Sequence, residues 1–150
     1  MYLTTSNPSK QLLLLTFTGQ VTAEELAAGR ENMMELLDGL KPGFRLLSDL
    51  TMLESFDEGC AAEIAQNMHL FSEKGVAMVV RVIPDESKDF GLNILSLFHY
   101  PQRPNVVTCS TMIEAVKALA LQPVPIINRN LLMFYIAAAE TAAFQIFHRF

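Results

Sequence analysis

Four carboxylates, Asp49, Glu54, Asp57 and Glu58, fall close together in the chain. Paired carboxylates serve acid–base catalysis when one is held protonated beside a second in a different environment. Nothing in the surrounding LTMLESFDEG buries either member of a pair. Negative charge at a helix start accounts for Asp57 and Glu58 more simply. The serines lack a G-x-S-x-G elbow, and no glycine-rich loop is present to cradle phosphate. His69, His99 and His148 are far apart, with no metal-ligand spacing to another His or Cys. Arg81 is the odd residue, a cation inside the apolar run MVVRVIP. Such a charge is costly unless paired. Asp49 and Asp85 are its candidate partners; the exposed end of a strand, or a pocket that receives an anion, are the other placements. Cys60 and Cys109 are either a disulfide pair or, as expected of reduced thiols, two small buried hydrophobes. No enzyme activity, cofactor or metal follows from these residues.

The elements that would position them alternate between strand and helix. MYLTT is a short edge strand turning at Ser6-Asn7-Pro8, and Gln11 to Thr18 is a second strand ending at Gly19. Thr22-Ala23-Glu24-Glu25 has the capping-box pattern that opens a helix, and Lys41-Pro42-Gly43 stops it. Phe44 to Leu50 reads as a strand and Leu50–Gly59 as an acidic loop. A helix then runs from an Asp57 N-cap to Gly75, with Ile64, Met68 and Phe71 inward and Glu63, Gln66, Asn67 and Glu73 outward. Val76 to Ile83 suits a strand buried on both faces. Ser87 to Phe98 reads as a helix, Asn105 to Cys109 as a strand, and a second capping box at Thr111–Glu114 opens a helix through Leu121. This order implies an α/β fold: a mostly parallel sheet of four to five strands with right-handed crossovers and an antiparallel N-terminal edge.

Residues 122–128 (QPVPIIN) read as a linker. Beyond it, 129–150 has the pattern of one more helix, apolar on most sides, which must be covered by its own domain or by a second copy. Glu140, Thr141 and Gln145 interrupt it, so no membrane span is expected. The net charge of −5 and the absence of a basic run argue against nucleic acid or anionic membrane as partner. MYLTTSNPSK is no secretory signal, and a cytoplasmic protein is the expectation.

Four stretches together resemble the SpoIIAA-like family of bacterial STAS-fold proteins. They are L-L-x-F-x-G-x-V-T-x-E-E-L, G-F-R-L-L-S-D-L-T, K-G-V-A-M-V-V-R-V-I-P-D and S-T-M-I-E-A-V-K-A-L, in that order, within residues 11–121. The resemblance implies a STAS-like domain over 1–121, related in architecture to CRAL-TRIO lipid-binding domains, with 122–150 outside it. It implies no enzyme activity. STAS proteins of the anti-sigma-factor-antagonist kind carry a D-S-S-G type turn whose Ser is phosphorylated by a partner kinase. The comparable turn here is Phe56-Asp57-Glu58-Gly59, with Glu58 at the serine position, so a fixed negative charge replaces the switch.

Two functional expectations follow. The first is a regulatory, protein-binding module whose contact surface is Met52, Leu53, Phe56, Asp57, Glu58 and Gly59. The second is a carrier of a lipid or fatty acid, in an apolar pocket formed by Phe90, Ile94 and Phe98 with Leu131, Phe134, Tyr135, Phe144 and Phe147. The same C-terminal residues would serve as a homodimer helix.

Overall fold

The computed structural model describes residues 1–85, 87 and 89–121, with the side chain of Phe90 not described. Leu131, Phe134, Tyr135, Phe144 and Phe147 therefore lie outside the described residues, as does any contact they make.

Five strands form one sheet in the order β1 (Tyr2–Asn7), β2 (Leu12–Val21), β3 (Arg45–Phe56), β4 (Met78–Val82) and β5 (Asn105–Cys109). β1 runs antiparallel to β2, and every other pair is parallel. The helices are α1 (Ala23–Asp38), α2 (Cys60–Glu73), α3 (Asp89–His99) and α4 (Met112–Leu121).

Side-chain alternation along the strands makes two cores. Leu13, Leu15, Leu46, Leu50 and Val79 bury against Leu26, Met33 and Leu37 of α1 and Met68 and Phe71 of α2. Leu47, Met78, Val80, Val82 and Cys109 face the other way, onto Ala115 and Leu119 of α4. β4 carries no polar alternation because both of its faces are covered, and all five of its residues are buried. Cys60 and Cys109 belong to opposite faces, which is why both thiols are free and buried.

Local signals set the helix ends. The Thr22 hydroxyl accepts from Glu25 N–H at 3.2 Å while Glu25 accepts from Thr22 N–H at 3.1 Å, the reciprocal capping box. α2 ends in a Schellman turn: Gly75 N–H donates to Ser72 C=O and Val76 N–H to Phe71 C=O, both at 3.0 Å, with Gly75 at φ +84°.

Gly29, inside α1, is explained by a close approach. A Cβ there would lie 2.8 Å from the Tyr2 ring. That ring is pinned by Phe17 at 5.2 Å between centroids and by its hydroxyl on Met33 Sδ at 3.4 Å. Helix propensity favours Ala over Gly by about 1 kcal/mol, but overpacking costs about 1–3 kcal/mol. We expect Gly29→Ala to lower stability in a urea melt by about 1 kcal/mol; a more stable variant would show that Tyr2 is not held.

The structure departs from the sequence expectation at several places. β2 does not end at Gly19, and β3 does not end at Leu50. Gly19 takes φ +64° at a register shift, and the pairing resumes with Gln20 opposite Ser55 and Val21 opposite Phe56. The acidic stretch is thus mostly strand, its polar residues lying on exposed positions. Asn67 is buried, not outward, because its Oδ1 accepts from Arg30 Nε at 3.0 Å and joins α1 to α2. Asp57 is not the N-cap of α2: Gly59 takes that place without a side-chain cap.

Candidate functional site

The site begins where β3 runs out. Beyond Phe56 the chain turns through Asp57-Glu58-Gly59 into α2, and Asp57 organises the turn. Its carboxylate accepts from Gly59 N–H at 3.1 Å and from Ala23 N–H at 3.2 Å. One carboxylate therefore holds the first amide of α1 and the turn into α2 together. The Cys60 thiol also donates to it, at 3.2 Å. That bond, and then the amides of Ala23, Gly59 and Cys60, hold the Asp57 carboxyl below the usual carboxylate range, so it is an anion at neutral pH.

Burial, with Asp57 adding to it, pushes the Cys60 thiol up to about 11. A thiol with that pKa is protonated at pH 8 and a poor nucleophile. Cys60 is accordingly expected to resist a thiol-specific disulfide reagent at pH 8 in the folded protein and to react at once in denaturant. Fast reaction of the folded protein would show that the turn opens.

Above this turn lies an open groove of about 360 Å³. Leu53, Phe56, Cys60 and Ile64 form one side, Leu92, Ile94 and Leu95 of α3 the other, and Glu54 and Asp57 contribute charge. It sits at the carboxyl end of a parallel strand, where α/β proteins commonly meet ligands. The expected contact residues are placed unequally around it. Met52 is 67% exposed but does not line the groove, whereas Leu53 lines it while being only 5% exposed and part of the core. Phe56 is half-buried, edge-on to Phe17 at 5.6 Å. Glu58 and Gly59 are exposed, and a Cβ on Gly59 would come within 2.8 Å of Ala23 Cβ. Ile94 lines the groove at 41% exposure, and Phe98 is 73% exposed on the same helix. Asp49 is occupied elsewhere, accepting from the Thr51 amide and hydroxyl at 3.0 and 2.6 Å.

α3 is positioned by Arg81, which pairs with neither Asp49 nor Asp85. Its Nη1 donates to Asp89 Oδ1 at 3.3 Å and Asn93 Oδ1 at 2.9 Å. Its Nη2 donates to Ser96 Oγ and to the Leu92 carbonyl. Asp89 also accepts from the Thr108 hydroxyl at 2.8 Å, so β4 and β5 hold the helix together. Arg81 is 2% exposed. Burial lowers its pKa against the opposing pull of Tyr100 and Asp89. Asp89, Asn93 and Ser96 stand at i, i+4 and i+7, one face of the helix; that polar stripe was the signal in the sequence that identifies Arg81's partners.

Beneath α3 a cavity of about 40 Å³ is bordered by Ser48, Asn67, Arg81 and Tyr100 among apolar side chains. It has room for a few water molecules, not for an acyl chain. Burial raises the Tyr100 phenol, with Arg81 acting the other way. The fold also brings His69 and His99 together, ring centroids 5.2 Å apart, a pairing that their sequence positions do not announce. Among the described residues no group of three His, Cys, Asp or Glu could hold a metal ion. No helix among them is long and apolar enough to cross a membrane.

No family model matches this chain. No curated protein matches it either. Solved structures do. An uncharacterized protein of the DUF3478 family with a SpoIIAA-like fold, from Shewanella loihica, superposes with a TM-score of 0.60 at 17% identity, over 79% of this chain and 92% of that one. The anti-sigma factor antagonist SpoIIAA in its unphosphorylated form gives 0.52 at 11% identity, over 80% and 98%. The Bacillus cell fate determinant SpoIIAA in its phosphorylated form gives 0.51 at 13%, over 79% and 99%. The five-stranded mixed sheet and the four α-helices of the described residues therefore form a SpoIIAA-like fold of the STAS type.

Proposed function

We propose that the chain is a non-enzymatic, cytoplasmic regulatory module that binds a protein partner through the groove between β3, α2 and α3. The observation that carries this reading is the groove itself: an open apolar trough edged by Glu54 and Asp57, with exposed Glu58 in the turn that follows. Apolar residues flanked by charge are what a protein contact uses, the apolar part for affinity and the charge for steering and register. The partner's segment would carry an apolar anchor between Lys or Arg residues. The likeness in fold to an anti-sigma factor antagonist supports an anti-sigma-factor-like protein as that partner. Glu58 cannot accept phosphate, so in this reading the complex is governed by the partner's concentration and not by phosphorylation of the turn.

The test is a binding measurement on the full chain with anti-sigma-factor-like proteins encoded in the same genome. Ile94→Asp and Glu58→Lys change exposed positions, so both variants should melt with the parent protein. Ile94→Asp is expected to weaken binding roughly tenfold or more, and Glu58→Lys mainly to slow association. Parent-like affinity and association rate in both variants would overturn the reading.

A further inference from the structure

α3 borders two hollows with two different stripes. Leu92, Ile94 and Leu95 line the groove described above. Asn93, Ser96 and Leu97, with Tyr100 just past the helix end, stand at i, i+3, i+4 and i+7 and line a second pocket of about 390 Å³. Arg103, Pro104 and Val106 complete it. That volume is within the range of small-molecule sites, which join apolar walls to a few placed polar groups. Among the described residues no carboxylate borders this pocket, whereas Glu54 and Asp57 border the groove.

The cation in the pocket is unpaired. Arg30 donates to Asn67 and Glu63, Arg45 to the Lys10 and Leu119 carbonyls, and Arg81 to Asp89 and Asn93. Among the described residues Arg103 is the one arginine whose side chain makes no hydrogen bond or ion pair. An arginine placed for the dipole of α3 would donate to its last carbonyls, and Arg103 donates to none of them. Its own N–H donates to the Tyr100 carbonyl at 2.9 Å, in a turn where Arg103 takes φ +47°. Asp89, the acid on the same stripe of α3, is engaged by Arg81 and Thr108. Tyr100 borders both this pocket and the inner cavity and is 3% exposed. Its hydroxyl makes no hydrogen bond among the described residues, although a buried tyrosine hydroxyl ordinarily finds a partner.

We propose that this pocket binds a small organic monocarboxylate. The carboxylate lies in the planar fork of Arg103 and accepts a second bond from the Tyr100 hydroxyl. The apolar body of the ligand covers Leu97, Pro104 and Val106. One cation and one neutral donor match a single negative charge. A phosphate group, with about two charges and three acceptor oxygens, asks for more.

Titration of the isotope-enriched full chain at constant ionic strength tests this, with sodium benzoate and, separately, with benzamide, which keeps the ring without the charge. Benzoate should give saturable amide shifts at Ser96, Leu97, Arg103 and Val106, with a dissociation constant at least about tenfold below that of benzamide. Arg103→Gln changes an exposed position and should abolish that preference. Tyr100→Phe keeps the ring and should weaken benzoate several-fold. Equal affinity for the two compounds, or parent-like benzoate affinity in either variant, would overturn the proposal. Saturable shifts confined to the groove residues Leu53, Ala61 and Ile94, tighter binding of inorganic phosphate than of benzoate, or no saturable shift with benzoate would overturn it as well.

Discussion

Replacing Arg81 with Met is expected to cost about 3–5 kcal/mol and to lower the melting temperature by roughly 10–15 °C. The guanidinium is 2% exposed and holds Asp89, Asn93, Ser96 and the Leu92 carbonyl at once. Removing it leaves the Asp89 carboxylate, itself only 14% exposed, without its cation. The remaining acceptors lose their donors in a site that water reaches poorly. Arg81→Lys keeps the charge but not the planar fork that serves several acceptors, and should lose an intermediate amount. Arg81→Met with Asp89→Asn should recover part of the loss, because no unpaired charge is left. The groove wall should suffer with the stability, since α3 is the element that Arg81 anchors. Chemical denaturation of the three variants measures this; a loss below about 1 kcal/mol in Arg81→Met would show a weak, solvated pairing.

The second large effect is expected at Gly75. Gly75→Val should cost about 2–5 kcal/mol from two independent causes. The position has φ +84°, which a β-branched residue resists. A Cβ there would also lie 2.9 Å from Pro42 Cβ and 3.1 Å from its Cα, where the Gly43 N–H donates to the Gly75 carbonyl at 2.7 Å. The contact is with backbone and a proline ring, so little can move aside. Gly75→Ala should show the same effect in smaller size, and equal stability of Ala and parent in a thermal melt would contradict the assigned geometry.

Periodicity and caps made most of the fold legible. Thr22 with Glu25, Gly75 as a helix stop, and the valine run of β4 each express a local rule that the tertiary structure obeys. The errors came where two strands settle each other. Gly19 looks like a strand end, yet β2 and β3 carry each other past it through two register shifts, so the acidic loop became strand. No local signal announces that pairing. Asp57 was legible as a helix-start residue but not as the acceptor for Ala23, which is 34 residues away. Leu53 looked exposable for the same reason as the loop did; once the segment is a strand, its side chain turns into the core. Arg81 was legible as a buried charge in need of a partner. The two nearest carboxylates by strand position were the wrong choice, because the face of α3 that meets β4 carries its own polar stripe. The groove could not be read at all, since it is the space left between α2 and α3.

Whether this groove receives a protein partner is decided by a nuclear magnetic resonance footprint. Isotope-enriched full chain would be titrated with an anti-sigma-factor-like protein that it binds. The perturbed amides are expected to cluster at Glu54, Phe56, Glu58, Ala61, Ile94 and Leu95, with α4 and β1 unchanged. A footprint centred on α4 or on the β1 edge, with the groove residues silent, would contradict it.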